Sequence, residues 1–369
     1  MNQSTLIGSP VSLYTGKLRS YLQYKNIPFV EKLSTADVYK NIIIPRTGVR
    51  YIPILITDDD EALQDTTVII DYFEKKYSKN SIYPSSPCQK FIALLFEVYG
   101  DEWLVNPAML YRWLYEENRE FAIREFGKTS APEKSACDQY KIGLKNSGPF
   151  AGALPRLGVT TNNQKVLEAS YTELLAELNI HFSQYKFLLG SKPSLGDFGL
   201  IGPLYAHLYR DPYSGQLMKT KAPHVANWVE RMVTPREKGI VVDGRYLDDD
   251  EIPDTLFPVI SRIFREMTPV MVETIKQTEI WAKENPNTEI PRAIGKLFFE
   301  ISGVKEERLV FPYNQWMWQR PYDFYHSIDK LERAKINKLL DRIPQKQREA
   351  LTMKIETPLI RRDNRLFSQ

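Results

Sequence analysis

Over the first eighty residues the chain alternates short apolar runs with turn residues, and after that it changes to helical spacing. Thr5-Leu6-Ile7-Gly8 followed by Ser9-Pro10 predicts a strand leaving a sheet. Leu18, Tyr21 and Leu22 predict a helix over residues 16–25. Asn26-Ile27-Pro28 ends it, because a residue before proline resists the helical conformation. Phe29-Val30-Glu31-Lys32-Leu33 reads as a second strand, residues 52–56 as a third and Ala62-Leu63 as a short fourth. The acidic run Asp58-Asp59-Asp60-Glu61 falls between the last two and reads as a solvated turn. Val68, Ile69, Tyr72 and Phe73 mark one side of a second helix over residues 65–77.

Residues 80–87, rich in serine and proline, read as a linker. From about Gln89 the pattern is helical. Leu167, Tyr171, Leu174, Leu175 and Leu178 recur at spacings of three and four. Ser194-Leu195-Gly196-Asp197 before an apolar run is a helix start, in which the serine oxygen would take a backbone N–H. Residues 225–232, around Trp228, read as another helix, and residues 253–281 as mostly helical. Residues 296–302 and 308–311, flanking 303–307, predict a β-hairpin. Residues 314–340 read as helix broken at Pro321.

Composition narrows the class of protein. A length of 369 residues favours two or three domains, and 43% hydrophobic residues suffice for packed cores. A formal charge of +3 argues for neither a nucleic-acid nor a membrane partner. Two cysteines, Cys88 and Cys137, supply no disulfide framework and no zinc cluster. No basic-then-apolar leader opens the sequence and no apolar run has the length of a membrane span, so a reducing, cytoplasmic setting is expected. The acidic runs 58–61 and 248–251 lack calcium-loop spacing, the second of them reads as a helix-start region, the four histidines are dispersed, and no metal site is expected.

Three motifs carry the candidate chemistry: residues 12–19 (Ser-Leu-Tyr-Thr-Gly-Lys-Leu-Arg), Tyr51-Ile52-Pro53-Ile54-Leu55, and Leu63-Gln64-Asp65-Thr66. In this order, on a β-α-β-(α)-β-β-α pattern, they resemble the glutathione-binding half of the glutathione S-transferase superfamily. Leu189-Gly190 with Ser194-Leu195-Gly196-Asp197 resembles the helical-domain motif of the same family. The resemblance covers roughly residues 5–238. It implies a thioredoxin-like N-terminal domain (1–82), an all-α bundle domain (89–238) and a mostly α extension with a β-hairpin (239–369). The fold class is thus α/β plus all-α, usually as a homodimer.

The resemblance also assigns roles. Ser12 occupies the position of the residue that activates the glutathione thiol. A hydroxyl donor and a helix N-terminus both favour the thiolate, which is the nucleophilic form. Leu13 departs from the proline or serine of many relatives, so Ser9, Tyr14 and Thr15 remain alternative donors. Serine cannot form a mixed disulfide, which disfavours thiol-transferase chemistry. Ile52 and Pro53 would clamp the cysteinyl backbone, Thr66 would hold the γ-glutamyl carboxylate, and Asp65 would accept from its amino group. Lys17, Arg46 or Arg50 would face the glycyl carboxylate. Tyr14, Trp103 and Tyr111 are the candidates for lining a pocket for a small apolar electrophile, with Trp113 and Tyr115 nearby. The aromatic stretch 311–322 would roof a site, fill a core or bury a partner surface. The expected function is a glutathione transferase-like enzyme with glutathione as cosubstrate. The rival is a non-catalytic binding or scaffold protein of the same fold, acting through its extension.

Overall fold

The computed structural model describes residues 3–234 and 244–369. The expected boundary at 238/239 lies outside the described residues. In chain order the elements begin with β1 (Ser4–Gly8), α1 (Leu13–Tyr24), β2 (Phe29–Leu33), α2 (Ala36–Val38), α3 (Ile44–Thr47), β3 (Ile54–Ile56), β4 (Ala62–Gln64) and α4 (Thr66–Lys76). A helical series follows: α5 (Pro87–Val98), α6 (Val105–Leu114), α7 (Glu116–Ser130), α8 (Ala136–Ala151), α9 (Gln164–Gln184), α10 (Leu195–Ala206), α11 (Pro212–Lys221) and α12 (Pro223–Val233). The remainder comprises α13 (Phe257–Arg262), α14 (Thr268–Glu284), β5 (Lys296–Ile301), β6 (Val304–Leu309), α15 (Pro312–Ser327), α16 (Lys330–Leu340), α17 (Glu349–Thr352), β7 (Leu359–Arg362) and β8 (Arg365–Ser368). These elements form two compact units. The first takes the described residues of Met1–Ile82, Ala108–Ala153 and Phe198–Asp243, and the second those of Tyr83–Pro107, Leu154–Asp197 and Gly244–Gln369.

In the first unit a four-stranded sheet has the order β2-β1-β3-β4, with β1 parallel to β2 and antiparallel to β3. Successive strand residues face opposite ways. Ile7 and Ile54 therefore cluster with Val38 and Ile43 on one face, while Leu6 and its partner Leu55, both fully buried, belong to the other. Burial on both faces is the thioredoxin-like arrangement, with helices covering a mostly apolar sheet. Tyr21 of α1 donates to Glu74 of α4 at 2.8 Å, and Lys25 pairs with the same carboxylate at 2.9 Å. Helix α1 starts at Leu13, three residues before the sequence reading, because Ser12 caps it. Gly16 then lies inside the helix, where an added Cβ would stand 3.4 Å from the Tyr205 ring.

The second unit is mostly helical. Phe91, Ile92, Leu95 and Phe96 of α5 are fully buried. Two arginines anchor ion pairs in this unit. Arg320 donates to Glu97 at 2.9 Å and to the Tyr83 hydroxyl at 2.6 Å. Arg262 bonds Glu177 through two nitrogens and also reaches Glu173 and Glu266. The aromatic stretch is core: Trp318 is fully buried and its indole N–H donates to the Ala350 carbonyl at 3.0 Å.

Several details differ from the sequence reading. At Ser194-Leu195-Gly196-Asp197 it is the aspartate that accepts. Its carboxylate takes the Ser194 N–H and hydroxyl and the Leu188 N–H, which is the reciprocal half of the expected capping pattern. The acidic run at 248–251 caps a different helix. Asp250 accepts from the N–H groups of Cys88 and Gln89, at 3.0 and 2.9 Å, at the positive end of α5. Helix α15 runs through Pro321 and ends instead at Ser327, where Asp329 caps α16. The hairpin turns on Ser302-Gly303 alone, both at positive φ, so residues 304–307 are strand. A second hairpin, β7–β8, turns on Asp363-Asn364 in the same way.

Candidate functional site

Sheet register brings the first-unit candidates to one place. Ile7, at the end of β1, pairs with Ile54, the first residue of β3. Ile54 in turn pairs with Gln64, the last residue of β4. The loop after β1, the dipeptide before β3 and the turn after β4 therefore leave the sheet at the same end. Ser12, Ile52-Pro53 and Asp65-Thr66 occupy those three segments, and the N-termini of α1 and α4 start there. Two helix N-termini at one sheet edge make a site suited to an anionic, peptide-like ligand.

At the first segment, Ser12 is half-buried and its hydroxyl accepts from the Thr15 N–H at 3.3 Å. Capping uses an oxygen lone pair and leaves the O–H able to donate, so a cap and a thiolate donor are compatible roles. Ser9 and Thr15 are buried, at 6% and 1% exposure, and they serve the loop itself. Ser9 donates to Thr129 and accepts from the Val11 N–H, while Thr15 accepts from the Ser9 N–H. Tyr14 is half-buried on the first turn of α1. Exposure thus favours Ser12 and Tyr14 over Ser9 and Thr15 as groups a ligand can reach.

The loop is held by two arginines that the sequence reading did not single out. Arg112 is 2% exposed; it makes a two-point pair with Asp211 at 2.7 Å and donates to the carbonyls of Val11 at 2.7 Å and Ala206 at 2.6 Å. Its Nη1 also lies 2.9 Å from His207 Nε2. Burial, with the neighbouring guanidinium groups, pushes His207 well below the usual histidine range, so the ring is neutral and Nε2 accepts. Burial raises the Asp211 carboxyl, against the opposing pull of Arg112. Arg210 donates to the Pro10 carbonyl and pairs with Glu125 at 2.9 Å. The two carbonyls that precede Ser12 are therefore each fixed by a guanidinium.

At the second segment the Ile52–Pro53 peptide is cis and Pro53 is buried, so β3 begins two residues later than the sequence pattern indicated. At the third, Asp65 has φ 86° and ψ 128°, a conformation an L residue adopts at a cost of roughly 1–3 kcal/mol. Its Oδ1 accepts from the N–H groups of Thr67 and Val68. The first N–H of α4, on Thr66, has no partner within a helix by geometry. Thr66 is 4% exposed.

The remaining candidates lie elsewhere. Lys17 is fully buried within α1. Arg46 pairs with Asp60 of the β3–β4 turn at 2.7 Å. Trp103 and Tyr111, 3% and 2% exposed, belong to different units. Trp103 meets Phe299 edge-on at 6.2 Å in the second unit, and Tyr111 stacks on Tyr115 at 5.1 Å in the first.

Two family models match the sequence: the N-terminal domain of glutathione S-transferase over residues 6–81 and its C-terminal domain over residues 152–234. The chain belongs to the glutathione S-transferase superfamily. Similar solved structures include the Tau class glutathione S-transferase MiGSTU from mango, Mangifera indica. It is 18% identical, with 69% of this chain and 94% of that one covered and a TM-score of 0.38. The β-etherase LigF from Sphingobium sp. strain SYK-6 is 16% identical, with 63% and 95% covered and a TM-score of 0.46. FzlA from C. crescentus is 17% identical, with 68% and 100% covered and a TM-score of 0.43. No curated protein sequence matches the chain. The family assignment rests on the two domain matches.

Proposed function

We propose that this protein is a glutathione-dependent transferase, in which Ser12 stabilises the glutathione thiolate for attack on a small apolar electrophile. The observation that carries the reading is the register-fixed convergence of Ser12, Ile52-Pro53 and Asp65-Thr66 at one end of the sheet. Glutathione would lie across that edge. Its γ-glutamyl carboxylate would take the Thr66 N–H and hydroxyl, and its amino group would donate to Asp65. Its cysteinyl backbone would pair with Ile52. The sulfur would then sit at the N-terminus of α1, within reach of the Ser12 O–H. Dipole and hydrogen bond both favour the charged sulfur and lower the thiol pKa. Tyr14, half-buried two residues after Ser12, is the first-unit side chain proposed to contact the electrophile. A cytoplasmic homodimer, as the family resemblance implies, is part of the same proposal.

The test separates binding from activation. Conjugation is measured against a panel of apolar aromatic halides and epoxides, with wild type and Ser12→Ala. The variant should lose roughly ten- to a thousandfold in turnover, on the scale of one lost thiolate donor, while its affinity for glutathione stays within a few-fold. Equal turnover in the variant would remove Ser12 from the mechanism.

A further inference from the structure

The hairpin β5–β6, in the second unit, alternates along β5 between buried and exposed positions. Leu297, Phe299 and Ile301 are buried, whereas Lys296, Phe298 and Glu300 are exposed. Phe298, at 72%, is the most exposed aromatic side chain among the described residues. One exposed ring is ordinary on a protein surface. Here it stands on an unpaired strand edge. In an antiparallel ladder, opposed residues alternate between exchanging hydrogen bonds and exchanging none. The Val310 N–H donates to the Gly295 carbonyl at 3.0 Å, which makes those two a bonded pair. Along the register, Leu297–Arg308, Phe299–Glu306 and Ile301–Val304 are then bonded pairs as well. Lys296, Phe298 and Glu300 fall between them, so their backbone N–H and C=O groups point away from β6. Among the described residues, no backbone hydrogen bond outside the hairpin reaches these groups.

The other edge of the hairpin is met by its own chain. Asn162 donates to the Lys305 carbonyl at 3.3 Å, and Thr160 donates to the Glu306 carboxylate at 2.5 Å. An unpaired edge carrying an exposed apolar side chain is a template for pairing with another strand. The side chains on it specify which strand. Lys296, Phe298 and Glu300 set a cation, a ring and an anion at alternate positions. Two copies of β5, paired antiparallel about a two-fold axis at Phe298, place the two Phe298 rings opposite each other. Lys296 of each copy then lies opposite Glu300 of the other. These are the same residues whose backbone groups face the edge, so one register satisfies both charge and hydrogen bonding. A shift by two residues opposes Phe298 to a charged residue and loses both charge matches. Lys296 is held on the exposed side by Glu307, 2.5 Å away across the hairpin, and Glu300 has no ion pair among the described residues.

We propose that β5 is a docking edge for a second copy of this chain, joined by antiparallel β5–β5 pairing centred on Phe298 with reciprocal Lys296–Glu300 ion pairs. Strand β5 lies outside both segments that match the family models. The proposal does not depend on the transferase reading, because every residue in it belongs to the second unit.

Sedimentation velocity of the full-length protein over a concentration series is combined with disulfide trapping. The trapping uses a Cys137→Ser background, because Cys137 is exposed and Cys88 is buried. Opposed residues of a bonded pair stand about 5.5 Å apart at Cα, within the range of a disulfide. Phe298→Cys should therefore cross-link to itself on mild oxidation. Lys296→Cys and Glu300→Cys should cross-link when mixed and not when each is alone. Glu300→Lys sets like charges opposite each other twice, once on each side of the two-fold, and should weaken association roughly tenfold. Adding Lys296→Glu should restore it. A dimer formed through another face would be unmoved by Glu300→Lys and would show no position-dependent trapping, and that result overturns the proposal. A wild type that sediments as a monomer at every concentration overturns it too. So does Phe298→Cys that traps a different protein from a cell extract and never itself.

Discussion

At the scale of single residues, the candidate site depends on a charge buried behind it. Arg112 spends its donors on Asp211, the Ala206 carbonyl and the Val11 carbonyl, so the residue before Ser12 is anchored by a side chain 101 positions away in sequence. Removing one partner of a buried pair leaves the other charged and desolvated. Arg112→Met should therefore cost about 3–5 kcal/mol in urea unfolding. Adding Asp211→Asn should recover part of that cost, because the orphaned charge is gone. A single variant within about 0.5 kcal/mol of wild type would show that the clamp contributes nothing. The sequence could not expose this device. Arg112 and Asp211 lie 99 positions apart, and only the fold brings them together at the loop.

At the scale of elements, the sequence was most legible where a local rule has no competitor. Short apolar runs bounded by turn residues located β1 and β2, and the helical period located α4 and α9. The three site motifs were legible through their order, and the register of β1, β3 and β4 explains physically why that order matters. Legibility failed where a distant contact overrides a local signal. Pro321 breaks an isolated helix, yet here Met317, Trp318 and Pro321 are buried in the second-unit core and α15 continues. The run 248–251 reads as a helix start of its own, yet Asp250 serves α5, over 160 residues earlier. In the hairpin β5–β6 the two-residue turn Ser302-Gly303 was present in the sequence, but the charged residues 305–307 masked a strand whose side chains are largely half-exposed. Ser12 illustrates both sides. The cap was legible, whereas the two arginines that fix its loop were not.

At the scale of the whole molecule, the last third of the chain is not a detachable appendage. It shares the second unit with Tyr83–Pro107 and Leu154–Asp197. Ending the chain before residue 244 would strip Arg320 from the fully buried Glu97, Asp250 from the start of α5, and Arg262 from Glu177. A fragment of residues 1–243 should lack a cooperative unfolding transition comparable to the full chain, and calorimetric melting would show it. A fragment melting sharply within a few degrees of the full protein would contradict that integration. The family's two domains say which fold is present, and they do not by themselves say that it works as an enzyme. The sheet end built by Ser12, Ile52-Pro53 and Asp65-Thr66 is proposed to bind glutathione. Calorimetric titration of the full-length protein with reduced glutathione tests it most directly. Saturable one-site binding with a dissociation constant of about 1 mM or tighter is expected. No heat of binding at several temperatures, from protein shown to be folded, would contradict it.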